Sequence, residues 1–125
     1  MRTVLIADDE PSLRRLVRAT IASDHYAIVE ATDGHAAWNV LVERRPTVAL
    51  LDVQMPGRTG LELAQAIKSD PDLAGTYVIL LTAHGQESDM RAGLEAGADL
   101  YLTKPFSPTA LLTAIERAME RERAR

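Results

Sequence analysis

Five short runs of β-type residues, near positions 3–7, 26–30, 48–51, 77–81 and 99–102, alternate with segments whose apolar residues recur at helical spacing. Leu13, Leu16, Val17, Thr20 and Ile21 fall on one face of the first such segment. Ala37, Val40 and Leu41 do so in the second, Leu61, Ala64 and Ile67 in the third, and Leu111, Ile115 and Met119 in the last. A period switching between 2 and 3.6 in this order predicts strands alternating with helices. The punctuation agrees: Pro11 lies near the start of the first helix, Asp33-Gly34 precedes the second, Gly57 and Gly60 the third, and Ser107-Pro108 the fifth. Strict alternation implies a parallel sheet with helices on both faces.

Right-handed crossovers leave few topologies for five strands. The expected architecture is α/β, a doubly wound five-stranded parallel sheet of the flavodoxin-like type with strand order 2-1-3-4-5. It is read as a single domain over 1–125, with a charged, helix-prone tail from about 117. That tail reads either as the frayed end of the fifth helix or as the start of a connection to another domain.

The apolar run Val48-Ala49-Leu50-Leu51 stops on Asp52, and Val4-Leu5-Ile6-Ala7 stops on Asp8-Asp9. In the expected strand order the first and third strands are neighbours, so three carboxylates meet although Asp9 and Asp52 are more than 40 residues apart. Thr82 ends the fourth run, and Lys104-Pro105 follows the fifth. The C-terminal edge of an open α/β sheet is where ligands bind. Three clustered carboxylates repel, which raises at least one pKa unless a cation sits among them. Oxygen donors of this kind suit Mg²⁺. Three negative charges, one lysine and Mg²⁺ sum to zero, so a phosphoryl group carried on a carboxylate leaves the site only about one charge negative. Positioning and charge neutralisation are what phosphoryl transfer requires.

Around these residues the chain resembles the receiver domains of two-component response regulators, over its whole length from Thr3-Val4-Leu5-Ile6-Ala7-Asp8-Asp9-Glu10 to Thr103-Lys104-Pro105-Phe106. Four signatures occur in the family's order: the acidic pair, Leu-Asp-x-x-Met-Pro-Gly at 51–57, Thr82-Ala83, and Lys104-Pro105-Phe106. The resemblance implies that Asp52 accepts a phosphoryl group from a phosphohistidine on a sensor histidine kinase or histidine phosphotransfer protein. It implies Mg²⁺ held directly by Asp9, Asp52 and the main-chain carbonyl of Gln54, with Asp8 acting through water. Lys104 would pair with phosphoryl oxygens, Thr82 would donate its hydroxyl to them, and Tyr101 would turn inward as an aromatic switch. Ala83 would keep the entrance small-sided, and the Lys104-Pro105 bond would be cis. Gln54 and His84 would flank the attacking water and tune the phosphoryl lifetime. The implied output face is the fourth helix, fifth strand and fifth helix, acting on a downstream protein or output domain or through a phosphorylation-dependent homodimer. The donor would dock near the first helix, with Leu13, Leu16 and Val17 as candidates.

Plainer readings stand beside some of these. Tyr101 is otherwise a half-buried aromatic and His84 an exposed loop residue. Trp38 and His35 carry no assigned role. The segment Gly85–Gly97 has few large apolar residues (Met90, Leu94), and Gly93 within it either weakens the helix or lets it approach the sheet closely. A haloacid-dehalogenase-type phosphatase also uses an aspartate and Mg²⁺, but it wants Asp-x-Asp after its first strand, and here the pair is adjacent. A phosphorylation-independent interaction module on the same fold is the remaining alternative.

The net charge of −4 opposes direct nucleic-acid binding. The absence of cysteine suits the cytoplasm, and no apolar stretch reaches the ~20 residues of a membrane span. A stand-alone regulator or phosphorelay intermediate is expected, with a receiver excised from a longer regulator as the other option. Histidine is the side chain that ordinarily titrates near neutral pH, so from the position of His84 phosphoryl loss is expected to depend on pH in the wild type and to lose that dependence in His84→Ala. Decay of the phosphorylated protein followed across pH 6–8 (an interval set by the usual histidine range of about 6.5) checks this.

Overall fold

The computed structural model describes residues 2–22, 25–83 and 87–124, and of 87–90 only the backbone. The chain runs β1 (Arg2–Ala7), α1 (Pro11–Ile21), β2 (Tyr26–Ala31), α2 (Gly34–Arg44), β3 (Val48–Asp52), α3 (Gly60–Ser69), β4 (Tyr77–Ala83), α4 (Glu87–Glu95), β5 (Leu100–Lys104) and α5 (Pro108–Arg123). The strands form one parallel sheet in the order β2-β1-β3-β4-β5. The flavodoxin-like architecture expected from the alternation is therefore the one found.

Alternate residues of each central strand serve opposite faces. Leu5, Ala7, Leu51, Val78 and Leu80 meet α2 and α3 through Ala37, Leu41, Leu63, Ala64 and Ile67. Val4, Ile6, Leu50, Ile79 and Leu81 meet α1 and α5 through Val17, Ile21, Leu111, Ala114, Ile115 and Met119. β3 is buried at every position, as a central strand covered on both sides must be.

The helix starts follow local chemistry. Asp33 accepts from the Ala36 N–H at 2.8 Å, and Ser107 Oγ from the Ala110 N–H at 3.0 Å. Thr59 and Glu62 exchange hydrogen bonds with each other's backbone in a capping box at the start of α3. Pro11 and Pro108 occupy the first turns of α1 and α5, where no N–H partner is lost.

Two helix faces differ from the expected ones. Leu16 lies 36% exposed while Val17 and Ile21 point inward, because the inward stripe of α1 is narrow. In α3 the fully buried set is Leu63, Ala64 and Ile67, and Leu61 packs only partly. The charged tail belongs to the fifth helix. α5 continues to Arg123 with Ala118 and Met119 buried. In α4, a Cβ on Gly93 would lie 2.5 Å from Leu80 Cδ1, so the glycine lets the helix approach the sheet closely.

The end of the sheet opposite Asp52 is tied by one carboxylate. Asp99 Oδ2 accepts from Lys68 Nζ at 2.8 Å and from the Val78 N–H at 2.8 Å, and Oδ1 from Arg121 at 2.6 Å. Arg121 also donates to the Gly75 carbonyl at 3.0 Å and lies 4.6 Å from the Tyr77 ring centroid. Asp99 thus connects α3, β4, β5 and α5.

Leu80 is fully buried between β3, β5 and α4. Leu80→Ala should cost about 2–5 kcal/mol through lost burial and the cavity left behind, read as a lowered midpoint in urea unfolding.

Candidate functional site

Each site residue lies in the last two positions of a strand or just beyond its end. β1 delivers Asp8 and Asp9, β3 ends on Asp52, β4 carries Thr82 as its penultimate residue and β5 ends on Lys104. The register pairs Asp52 with Leu81, Thr82 with Thr103 and Ala83 with Lys104, so these ends are level at one edge. Asp8, Asp9 and Asp52 each offer an oxygen, all within 4.8 Å of one another.

Asp8 and Asp52 are used in the same way. One oxygen of each accepts a backbone N–H two residues on: Asp8 Oδ1 from Glu10 at 2.9 Å, Asp52 Oδ1 from Gln54 at 3.1 Å. The other oxygen of each faces Lys104 Nζ, at 2.7 Å for Asp8 and 3.3 Å for Asp52. The Asp8 contact is an ion pair whose direction falls short of a hydrogen bond, since Oδ2 has no hydrogen-bond partner among the described residues. Asp8 is fully buried and Asp52 nearly so, whereas Asp9 is exposed. A single ammonium therefore bridges two buried like charges.

Burial pushes the Asp52 carboxyl up to about 6, with the nearby Asp8 charge adding to it; Lys104 and the Gln54 N–H pull the other way without prevailing. Burial works against the Lys104 charge, but its contact with Asp8 and the charges of Asp8 and Asp52 outweigh that and raise it above the ordinary lysine value. Lys104 stays protonated at neutral pH.

Thr82 is 1% exposed, and its Oγ1 has no hydrogen-bond partner among the described residues. A buried hydroxyl without a partner is costly, so this one is suited to an acceptor brought in by a ligand. The Lys104-Pro105 peptide bond is cis, as expected. Gln54 lies exposed in the loop after β3, and Ala83 is exposed at the end of β4. Tyr101 is half-buried against the cluster on the α2–α3 face and pairs in register with Leu80. His84 lies outside the described residues.

Two residues join the site without having been assigned to it. Glu10 Oε1 lies 3.6 Å from Lys104 Nζ, with its side chain 60% exposed. Arg14 donates to the main-chain carbonyl of Asp8 at 2.8 Å and to Glu30 at 3.0 Å. Glu30 is in turn held below the usual carboxylate range by Arg18 first and by Arg14. Glu10 was open to notice as a third acid beside the pair. The backward reach of Arg14 has no sequence signal, since it depends on where α1 leaves β1.

The comparisons with known proteins agree on one family. The model of the response regulator receiver domain matches residues 4–116. The phosphate regulon transcriptional regulatory protein PhoB of Pseudomonas aeruginosa is 39% identical over 120 residues, covering 96% of this chain and 52% of that protein. The probable transcriptional regulator ycf27 of Guillardia theta is 40% identical over 118 residues, 94% of this chain and 45% of that one. The chain thus spans about half the length of the curated relatives it matches. Among solved structures, a putative response regulator from Chloroflexus aurantiacus superposes with a TM-score of 0.89 at 29% identity, over 95% of this chain and 98% of the other. The chemotaxis response regulator CheY4 of Vibrio cholerae gives 0.86 at 32% identity, over 94% and 98%. The protein belongs to the response regulator receiver domain family of two-component signalling. Among the described residues no helix is long and apolar enough to cross a membrane.

The raised Asp52 value fixes a stability prediction for metal-free protein. Unfolded aspartate ionises near ~3.9. Between that value and about 6 the folded state holds a proton the unfolded state has released, so stability falls as pH rises through this window and stays reduced above it. Asp52→Asn removes the penalty. It should stabilise the protein by about 2–3 kcal/mol at neutral pH, with the gain vanishing below pH ~4. Urea unfolding in chelator at both pH values measures this.

Proposed function

We propose that the protein accepts a phosphoryl group on Asp52 from the phosphohistidine of a sensor histidine kinase or histidine phosphotransfer protein, in a Mg²⁺-dependent reaction, and thereby switches a partner-binding face. The observation that carries this reading is the ammonium of Lys104 between one oxygen of Asp8 and one of Asp52, beside the three-carboxylate cluster. The donor set is all hard oxygen, which fits Mg²⁺ and not a thiolate-seeking metal. Asp9, Asp52 and the Gln54 carbonyl are the direct ligands in this reading, with Asp8 acting through water. When bound, the ion neutralises the developing charge on the phosphoryl oxygens.

The residues of the chain do the rest. An Asp52 oxygen attacks phosphorus, the P–N bond to the donor imidazole breaks, and its electron pair stays on that nitrogen. This oxygen must be ionised; a cation held by Asp9, Asp52 and the Gln54 carbonyl would favour the carboxylate against the upward push of burial. Lys104, already facing Asp52, exchanges a carboxylate contact for a phosphoryl oxygen. The Thr82 hydroxyl gains the acceptor it lacks. Hydrolysis ends the cycle: water attacks phosphorus, inorganic phosphate leaves, and the Asp52 carboxylate returns. In this reading Gln54 and His84 tune the lifetime of the phosphoryl group.

The signal leaves through Thr82 and Tyr101 to α4, β5 and α5. The recipient is a downstream protein, an output domain, or a second copy of the chain in a phosphorylation-dependent homodimer. The relatives named as transcriptional regulators are about twice as long as this chain, which supports an output segment in those proteins. The net charge of −4 favours protein partners over nucleic acid for the receiver itself, and the cytoplasm is the proposed compartment. The unit doing this work is the whole of 1–125 acting as one receiver.

Intact mass after incubation with acetyl phosphate tests the reading. Wild type should gain one phosphoryl group only with Mg²⁺, Asp52→Ala should gain none, and Thr82→Ala should still be phosphorylated but bind its partner less well. A folded wild type that gains nothing with Mg²⁺ would instead favour a phosphorylation-independent interaction module.

A further inference from the structure

Trp38 is the only tryptophan of the chain; it sits on α2 and meets the loop that follows Asp52. Between Asp52 and α3 the chain passes through Gln54, Pro56, Gly57 and Arg58. The Arg58 guanidinium lies over the Trp38 ring, 4.5 Å from its centroid. The Pro56 carbonyl accepts from the Gly34 N–H at 2.9 Å. Gly57, at φ +79°, lies against the His35 ring, where a Cβ would come within 2.8 Å of Cδ2. A Cβ on Gly34 would run into the Arg58 backbone. The first two turns of α2 therefore hold this loop at three successive residues, and Gly60 closes its far end by donating to the Val53 carbonyl at 3.3 Å.

We infer that Trp38 and Arg58 form a clasp that positions the loop after Asp52, so that α2 sets the affinity of the acidic site for its divalent cation. This rests on the proposed function, in which the Gln54 carbonyl in that loop is a ligand. The Arg58–Trp38 contact exists only when the loop lies down on α2. Removing it leaves the carboxylates in place and lets the loop spend part of its time elsewhere. Apparent affinity falls by the fraction of time the competent loop is lost, while the chemistry in the fully loaded site is unaltered. Trp38 and Arg58 are positioning residues, and their signature is a weakened cation constant with an unaltered limiting rate.

The test is calorimetric titration with Mg²⁺, without phosphodonor, on wild type, Arg58→Met, Trp38→Leu, Trp38→Phe and the Arg58→Met/Trp38→Leu double variant. Thermal unfolding verifies that each is folded. Each of Arg58→Met and Trp38→Leu should weaken Mg²⁺ binding about two- to fivefold, the range a partly exposed cation–π contact supports. The double variant should be no weaker than either single one, because both remove the same contact. Trp38→Phe, which keeps an aromatic face, should stay close to wild type. At saturating Mg²⁺ the rate of phosphoryl uptake from acetyl phosphate should remain within roughly twofold of wild type, as the loaded site is the same. Unchanged Mg²⁺ constants in both single variants, or single losses that multiply in the double variant, would overturn the clasp while leaving the receiver reading intact. A folded wild type that neither binds Mg²⁺ nor takes up a phosphoryl group would overturn both.

Discussion

One ammonium between two buried carboxylates is the interaction around which this structure is arranged. Lys104 Nζ meets Asp8 and Asp52 at 2.7 and 3.3 Å, and all three groups come from different strands. Bringing like charges out of water and close together is unfavourable, so the contact exists only because the core holds β1, β3 and β5 at fixed heights. The cost remains visible in the raised Asp52 pKa. The sheet supplies the rigidity, and the site uses it to keep three carboxylates grouped at one edge.

This division of labour explains how the elements around the sheet are tied. The central strands are buried on both faces and their ends are level. The elements around the edge are tied individually: Arg14 reaches back to the Asp8 carbonyl, the capping box starts α3, and α2 holds the loop after β3. α4 is the contrast. It approaches the sheet through Gly93 and leaves Leu94 56% exposed.

Most of the framework was legible in the residues because its signals are local. The alternation of periods gave the strand order through general topological rules. Asp52 and Asp8-Asp9 were recognisable because each stands directly after an apolar run, and Pro11 and Ser107-Pro108 marked helix starts that the structure places there. What was not legible depends on distances between elements. Leu16 falls within the helical period of α1 but outside the contact with α5 and the sheet. Glu10, Arg14, Trp38 and Arg58 acquire partners only when separate segments meet. No spacing rule links position 38 on a helix to position 58 in a loop.

The tie at the other end of the sheet has a mechanical consequence. Asp99 gathers Lys68, the Val78 N–H and Arg121 onto one carboxylate, so β4, β5, α3 and α5 share an anchor far from Thr82. An element fixed at one end and free at the other responds to a push as a lever does, with the smallest displacement at the fulcrum and the largest at the tip. With Asp99 as the fulcrum, any displacement that the proposed switch brings to Thr82 would be largest at that tip of the sheet and smallest at Asp99. The ends of α3 and α5 that Asp99 holds would then stay with the base of the sheet while the proposed face changes at the other end.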